Sequence, residues 1–278
     1  MNYRHLFHAG NFADVFKHLI LVRLLAALKR KDTAFAYLET HAGKGRYDLR
    51  APDALKTAEY RDGIARLWRE PLDVDIEDYL AIVRAHNRGD ELRYYPGSPH
   101  IARALLRAQD RMRLAEQEPE ECAQLQAEFT GDRQASVACA DGYSALKGWL
   151  PPPERRGLVL IDPPYERADE WDRLRAALIF AAQRWPQGCY AVWYPLKASA
   201  PLARFKSKLV AAGLRKLLVA ELSVWPAATP FRLNGCGMLL LNPPWQIDSE
   251  LKALLGPLAQ RLQQGPASAV AVNWLMQE

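Results

Sequence analysis

A rhythm of short strand-like runs, each stopping at an acidic residue, constrains this chain more than any other feature. Residues 111 to 116 end in Glu116, residues 135 to 140 run into Asp141, and residues 158 to 161 run into Asp162. Runs of this kind, separated by amphipathic stretches, read as strands alternating with helices. In such a chain the strands are parallel, and right-handed crossovers bring every carboxyl end to one edge of the sheet. The three acids then share the edge at which open α/β folds bind ligands. Random surface acids have no reason to fall on strand ends three times in succession.

The rest of the chain fits this frame. Asn11 is placed to cap a helix that starts at Phe12 and stops at Lys29-Arg30-Lys31. On pattern alone Lys17 reads there as a snorkelling side chain and His18 as an ordinary histidine. Residues 34 to 40 form the first strand, with Glu39 near its end, followed by the turn His41-Ala42-Gly43-Lys44-Gly45-Arg46-Tyr47. Gly43 and Gly45 allow backbone to approach a ligand closely, but the third glycine of the dinucleotide fingerprint is missing, which argues against a nicotinamide cofactor. From 51 to 95 the rhythm lapses into two helical stripes, Tyr60, Ile64, Leu67 and Trp68, then Ile76, Tyr79, Leu80 and Val83. We read these as a helical insertion (51–95) in a main domain made of 1–50 and 96–278. Ser98 is expected to cap a helix with Pro99 as its first residue. After Asp162 come a helix, a strand (189 to 194), a second helix, and strands at 217 to 225 and 237 to 241 joined by a loop and so antiparallel. A strand-like tail covers 269 to 275. The expected class is α/β, a Rossmann-like, mostly parallel seven-stranded sheet with an antiparallel strand and a helical insertion subdomain.

The chemistry lies in Asp162-Pro163-Pro164-Tyr165. An exocyclic amine on a base is a poor nucleophile, because its lone pair is conjugated into the ring. A carboxylate and a backbone carbonyl that accept its two hydrogens favour a localised lone pair, and a ring such as Tyr165 can stack on a base flipped out of its helix. Asn242-Pro243-Pro244-Trp245 is a near-twin of this motif. If its strand is antiparallel, however, the twin lies at the opposite edge, so Asn242 is read as a structural turn.

With 278 residues, 49% of them apolar and 25% charged, the chain has enough apolar residues for a full core. Its net charge of +5 gathers at Lys29-Arg30-Lys31, Arg103 to Arg113, Arg155-Arg156 and Lys206 to Lys216, which suits a polyanionic partner. Cys122, Cys139, Cys189 and Cys236 have no paired spacing and are expected to be reduced thiols in a reducing compartment, with Cys139 and Cys189 in the core. The apolar run near the N-terminus is broken by Lys17, His18 and Arg23 and does not read as a signal peptide. His5, His8 and His18 lack a Cys or acid to complete a ligand set, so no metal site is expected.

A resemblance narrows the function. Asp-Pro-Pro-Tyr after the fourth strand, together with a glycine turn after the first, is similar to the pattern of S-adenosylmethionine-dependent amino methyltransferases. The opening Tyr3-Arg4-His5-x-Phe7-His8-Ala9-Gly10-Asn11-x-Ala13-Asp14-Val15-x-Lys17-His18, with Thr40-His41-Ala42-Gly43-x-Gly45-Arg46-Tyr47 and Arg93-Tyr94-Tyr95-Pro96-Gly97-Ser98-Pro99, closely resembles the bacterial large-subunit ribosomal RNA methyltransferase J family over essentially the whole length. The resemblance implies methylation of an adenine N6 in 23S ribosomal RNA, with S-adenosyl-L-methionine as co-substrate. It implies that Lys17, His18, His41, Gly43, Ser98, Glu116, Asp141 and Gly142 contact the co-substrate, that Asp162 is the catalytic acceptor, and that Tyr3, His5, Pro163 and Tyr165 meet the target nucleotide. Glu39 and His41 depart from the broader methyltransferase pattern, where Asp and an apolar residue are usual. A cytoplasmic monomer acting on 23S ribosomal RNA, without a membrane partner, is the expectation. A DNA adenine-N6 or cytosine-N4 methyltransferase, and a silent RNA-binding protein on the same scaffold, are the competing readings.

Overall fold

The computed structural model describes residues 5–68, 76–197, 199–226, 229 and 233–277, and for His5 the backbone alone. In chain order the strands are β1 (Ala36–Glu39), β2 (Arg46–Asp48), β3 (Tyr94–Pro96), β4 (Arg111–Glu116), β5 (Ala135–Cys139), β6 (Gly157–Ile161), β7 (Cys189–Leu196), β8 (Leu217–Ser223), β9 (Gly235–Leu241) and β10 (Ala269–Met276). The helices are α1 (Phe12–Lys29), α2 (Pro52–Thr57), α3 (Ile64–Trp68), α4 (Glu77–Ala85), α5 (Ser98–Leu105), α6 (Pro119–Glu128), α7 (Gly142–Trp149), α8 (Glu170–Arg184), α9 (Leu202–Ala211) and α10 (Ile247–Leu262).

The main sheet runs β10-β8-β9-β7-β6-β1-β4-β5. Strands β5, β4, β1, β6 and β7 pair in parallel, while β9 lies antiparallel between β7 and β8. The sheet thus has eight strands instead of the expected seven, and two of them, β9 and β10, run against the rest. The eighth is the tail, which pairs antiparallel with β8 at an edge and is only partly buried, so its sequence carries a weak strand signal. Strands β2 and β3 form a separate antiparallel ribbon whose pairing closes the excursion containing α2, α3 and α4.

Alternation along the central strands divides the core into two layers. Tyr37, Leu158 and Leu160 face one side, where they pack with α1, α4, α5 and α10. Leu38, Val159 and Ile161 face the other, against α7, α8 and α9. Helix α1 is apolar almost all round because it is covered on both sides, by the sheet and by α4, α5 and α10. Asn11 caps it as expected, its Oδ1 accepting from the Ala13 and Asp14 amides. The stripes of 51–95 contribute Ile64, Leu67, Ile76, Tyr79, Leu80 and Val83 to the same apolar layer as α1.

The cysteine expectation needs correction. Cys122 on α6 and Cys139 at the end of β5 are joined in a disulfide, because the crossover folds α6 back onto its own strand. Cys139 is also exposed, since β5 is an edge strand, whereas Cys189 and Cys236 are free and buried. No helix among the described residues is long and apolar enough to cross a membrane.

The two proline motifs fall at opposite edges. Asp162 follows β6 at the carboxyl edge of the parallel strands, and Asn242 follows the reversed β9 at their amino edge. There the Asn242 side-chain amide donates to the Pro186 and Gly188 carbonyls at 2.7 and 3.0 Å, and its backbone is left-handed (φ 52°). Asn tolerates that conformation better than Ala. Asn242→Ala is expected to lower stability by about 1–3 kcal/mol, read as a reduced urea midpoint. An unchanged midpoint would remove the structural role.

Candidate active site

Six successive features of the chain meet at the carboxyl edge: the start of α1, the turn after β1, the start of α5, and the ends of β4, β6 and β7. They enclose a cavity of about 1410 Å³. Asp162, Pro163, Tyr165, Lys17, His18, His41, Gly43, Ser98 and Glu116 all line it. Asp141 and Gly142 stand behind its wall. Asp141 caps α7 through the Ser144 amide and ion-pairs with Arg173 at 2.6 Å, and Arg173 is the residue that reaches the cavity. Gly142 is required by packing, because a Cβ there would lie 1.9 Å from the Thr40 carbonyl oxygen.

At the centre is a buried ammonium. Lys17 Nζ lies 2.5 Å from Asp162 Oδ2 and 3.0 Å from Asp14 Oδ1. Burial by itself would lower the Lys17 pKa, but the charges of Asp14 and Asp162 more than offset it and hold the pKa above that of an ordinary lysine. Lys17 therefore does not snorkel: its head group turns onto these two carboxylates at the cavity wall and is almost wholly buried there. Asp14 in turn accepts from the Gly10 amide at 3.0 Å.

Glu39 is fully buried beside this pair. One carboxyl oxygen accepts from Tyr37 at 2.8 Å and the other from Ser98 Oγ at 2.5 Å. Ser98 consequently does not cap α5; Gly97 occupies that position, and the serine hydroxyl is spent on the nearer buried carboxyl. Burial pushes the Glu39 pKa up to about 7, against the hydrogen bonds from Ser98 and Tyr37. His41 is half-buried on the cavity wall, and desolvation lowers its pKa to about 4, so the ring is neutral at physiological pH. His18 shares a hydrogen bond with the Tyr95 hydroxyl at 2.7 Å, and Tyr95 lies 2.9 Å from Tyr79 Oη on α4.

The turn after β1 forms a cradle. Gly43 has φ +60°, and a Cβ on it would meet the Tyr47 hydroxyl at 2.4 Å. Its amide donates to Glu116 Oε2 at 2.7 Å, while Glu116 Oε1 accepts from the Glu118 amide at 2.8 Å. The carboxylate is thereby fixed at the end of β4 on the cavity wall. Across the cavity, Tyr165 adopts a left-handed backbone (φ 55°), donates to the Trp193 carbonyl at 2.6 Å and packs 4.6 Å from the Trp171 ring.

Tyr3 lies outside the described residues. His5 sits in a short 3-10 turn (His5–Phe7). His8 pairs with Glu59 at 3.0 Å. No group of three or more His, Cys, Asp or Glu side chains among the described residues is placed to hold a metal. Pattern reading missed Asp14, Tyr95, Arg173 and Trp193. Only Asp14 had a local signal, its i,i+3 spacing to Lys17 on one helix face.

Comparison with known proteins points one way. A family described as "Ribosomal RNA large subunit methyltransferase D, RlmJ" matches residues 32–276. The proteins named ribosomal RNA large subunit methyltransferase J from Escherichia coli (strain K12) and Haemophilus influenzae are each 42% identical to this chain, over 100% of both chains. The crystal structure of a Legionella pneumophila protein superposes with a TM-score of 0.89 at 38% identity, covering 96% of this chain and 98% of that one. A probable spermidine synthase from Corynebacterium glutamicum, 10% identical with a TM-score of 0.51 over 95% of this chain and 75% of its own, shares the fold alone.

The Glu39 carboxyl makes a pH prediction. Its folded pKa of about 7 lies above the ordinary 4.5, so the folded state holds the proton more tightly. That stability is complete below pH 4.5 and is lost as pH rises through 7. Between pH 5 and 8 the wild type should lose roughly 1 to 3 kcal/mol more than Glu39→Gln in urea titrations. Parallel pH profiles would contradict the assignment.

Proposed function

Because the chain belongs to the ribosomal RNA large subunit methyltransferase J family, we infer that its cavity transfers a methyl group from S-adenosyl-L-methionine to N6 of an adenine in 23S ribosomal RNA. The observation that carries this reading is the acid-and-ring clamp Asp162 to Tyr165 opening into the same cavity as the glycine cradle and Glu116. The donor set suits the co-substrate. Glu116 offers a fixed carboxylate for ribose hydroxyls, the left-handed Gly43 turn holds that carboxylate through its amide, and the neutral His41 ring does not repel a cation. When bound, the co-substrate supplies an electrophilic methyl on a sulfonium.

The chain's own residues supply position and polarity. Asp162, with the backbone at Pro163, accepts hydrogens from the target amine, and Tyr165 presents its ring to the flipped base. Lys17 fixes the Asp162 carboxylate and balances its charge. A strong base is not needed before attack, since the proton leaves after transfer. His18 and Ser98 fit co-substrate contacts because each lines the cavity. Asp141 and Gly142 fit that role less directly, since they stand behind Arg173 and Thr40. Tyr3 and His5 are proposed to meet the target nucleotide on the strength of the opening motif.

We further read 51–95 as an insertion into a domain of 1–50 and 96–278, supported by the β2–β3 pairing that closes it. A monomer working in the cytoplasm, where ribosomal RNA is made in bacteria, completes the proposal.

Asp162→Asn is expected to cut transfer of tritiated methyl groups into bare 23S RNA by about 10²-fold or more, with co-substrate binding retained in calorimetry. Full activity in this variant would refute the clamp. Preferential labelling of duplex DNA would favour the DNA-methyltransferase reading. Mass-spectrometric mapping should find one methyladenine in 23S RNA that disappears when the protein is absent.

A further inference from the structure

The second proline motif is left unused by the reaction, and its surroundings are distinctive. Trp245 is 82% exposed. The other exposed large apolar side chains among the described residues are Leu55, on α2, and Val270, opposite Leu222 at the far end of β8, and neither extends a patch around it. The ring is nevertheless carried on a firmly held turn. Asn242 is anchored by its amide to Lys216 O at 3.1 Å and by its side chain to Pro186 and Gly188, two prolines follow, and the Trp245 carbonyl accepts from Arg30 at 3.4 Å.

The charge around this turn is of one dominant sign, for a topological reason. The connectors leading into the parallel strands all arrive at the amino edge, and they carry the basic clusters of the sequence. Lys29, Arg30 and Lys31 precede β1, Arg155 precedes β6, and Arg215 and Lys216 precede β8, all of them exposed. Acids here are fewer and mostly paired: Asp110 and Asp132 are held by Arg107 and Arg103, Glu250 by Arg30, and Asp248 accepts from the Trp274 indole, which leaves Asp32 and Glu154 on the connectors. A lone rigid aromatic ring among cations suits a stacked base flanked by phosphates. A protein partner would call for a wider apolar centre.

We propose that this amino edge, centred on Trp245 with Arg30, Lys31 and Lys216 beside it, is a second RNA-docking surface that holds an unpaired segment of ribosomal RNA other than the one bearing the target base. The proposal rests on the RNA-methylating reading above. The separation of the two surfaces follows from strand length: five to six residues at about 3.3 Å each put them roughly 20 Å apart, too far for one nucleotide to reach both.

The test compares full-length 23S RNA with a short fragment that carries the target adenine, using the whole protein. Trp245→Ala should weaken binding to the full-length RNA by about 5- to 100-fold and raise its KM at constant kcat, while leaving KM and kcat on the fragment unchanged. Trp245→Phe should restore binding. Lys29→Ala with Lys31→Ala should lower the salt dependence of full-length RNA binding by about one to two phosphate contacts. Unchanged affinity of these variants for full-length RNA overturns the proposal, whether the surface then serves an acidic protein or nothing. Equal losses on both RNAs overturn it too. If the wild type methylates neither RNA, the activity reading itself has failed, a result separable from these.

Discussion

The carboxyl edge of this protein depends on one buried ammonium. Lys17, only 4% exposed, lies among Asp14, Asp162 and the nearby Glu39. An ammonium removed from water without partners costs several kcal/mol, so its position is set by the carboxylates around it. Those carboxylates are brought by elements distant in sequence: Asp14 by α1 itself, Asp162 by the end of β6 and Glu39 by the end of β1. The same ion pair therefore docks the start of α1 against the sheet and orients the Asp162 carboxylate. Asp14 and Asp162 outweigh the single lysine even where Glu39 holds its proton, so the local charge leans negative. That polarity is suited to a cationic sulfonium, and the neutral His41 leaves it intact.

Parallel topology also explains why the two ends of the sheet differ in charge. Each β-α-β unit delivers its strand end to one edge and its connector to the other. In this chain the strand ends carry acids and the connectors carry Lys and Arg. The mild net charge of +5 thus conceals a division between an acidic, enclosed edge and a basic, open one. The folded protein presents these as separate surfaces, with the reacting amine proposed at one and a polyanion proposed at the other.

Much of the architecture was legible because it rests on local patterns. Asn11 followed by an apolar run marked the start of α1, and the runs ending at Glu116 and Ile161 marked strands whose burial matches their composition. The antiparallel placement of β9 followed from its being joined to β8 by a loop with no predicted helix, which was enough to assign Asn242 to the opposite edge. Illegible features depended on contacts between distant segments. Ser98 looked like a cap because serine before proline at a helix start usually is one, yet a buried carboxyl 59 residues away is the stronger acceptor. Lys17 looked able to reach solvent because nothing local to α1 announces that β6 brings Asp162 to its head group. Cys122 and Cys139 looked unrelated because their pairing requires α6 to pack back on β5.

What the sequence alone determined, then, is the order of strands and helices, the acids at strand ends, and an opening motif that resembles the methyltransferase J family. Side-chain periodicity and turn chemistry act within a few residues and can be read without coordinates. Tertiary structure decided which of those residues meet: Lys17 with both Asp14 and Asp162, Ser98 with Glu39, Arg173 with Asp141, and Arg30 with the Trp245 carbonyl. Each pairing joins groups whose distance is set by the packing of layers, and no periodicity along the chain encodes it.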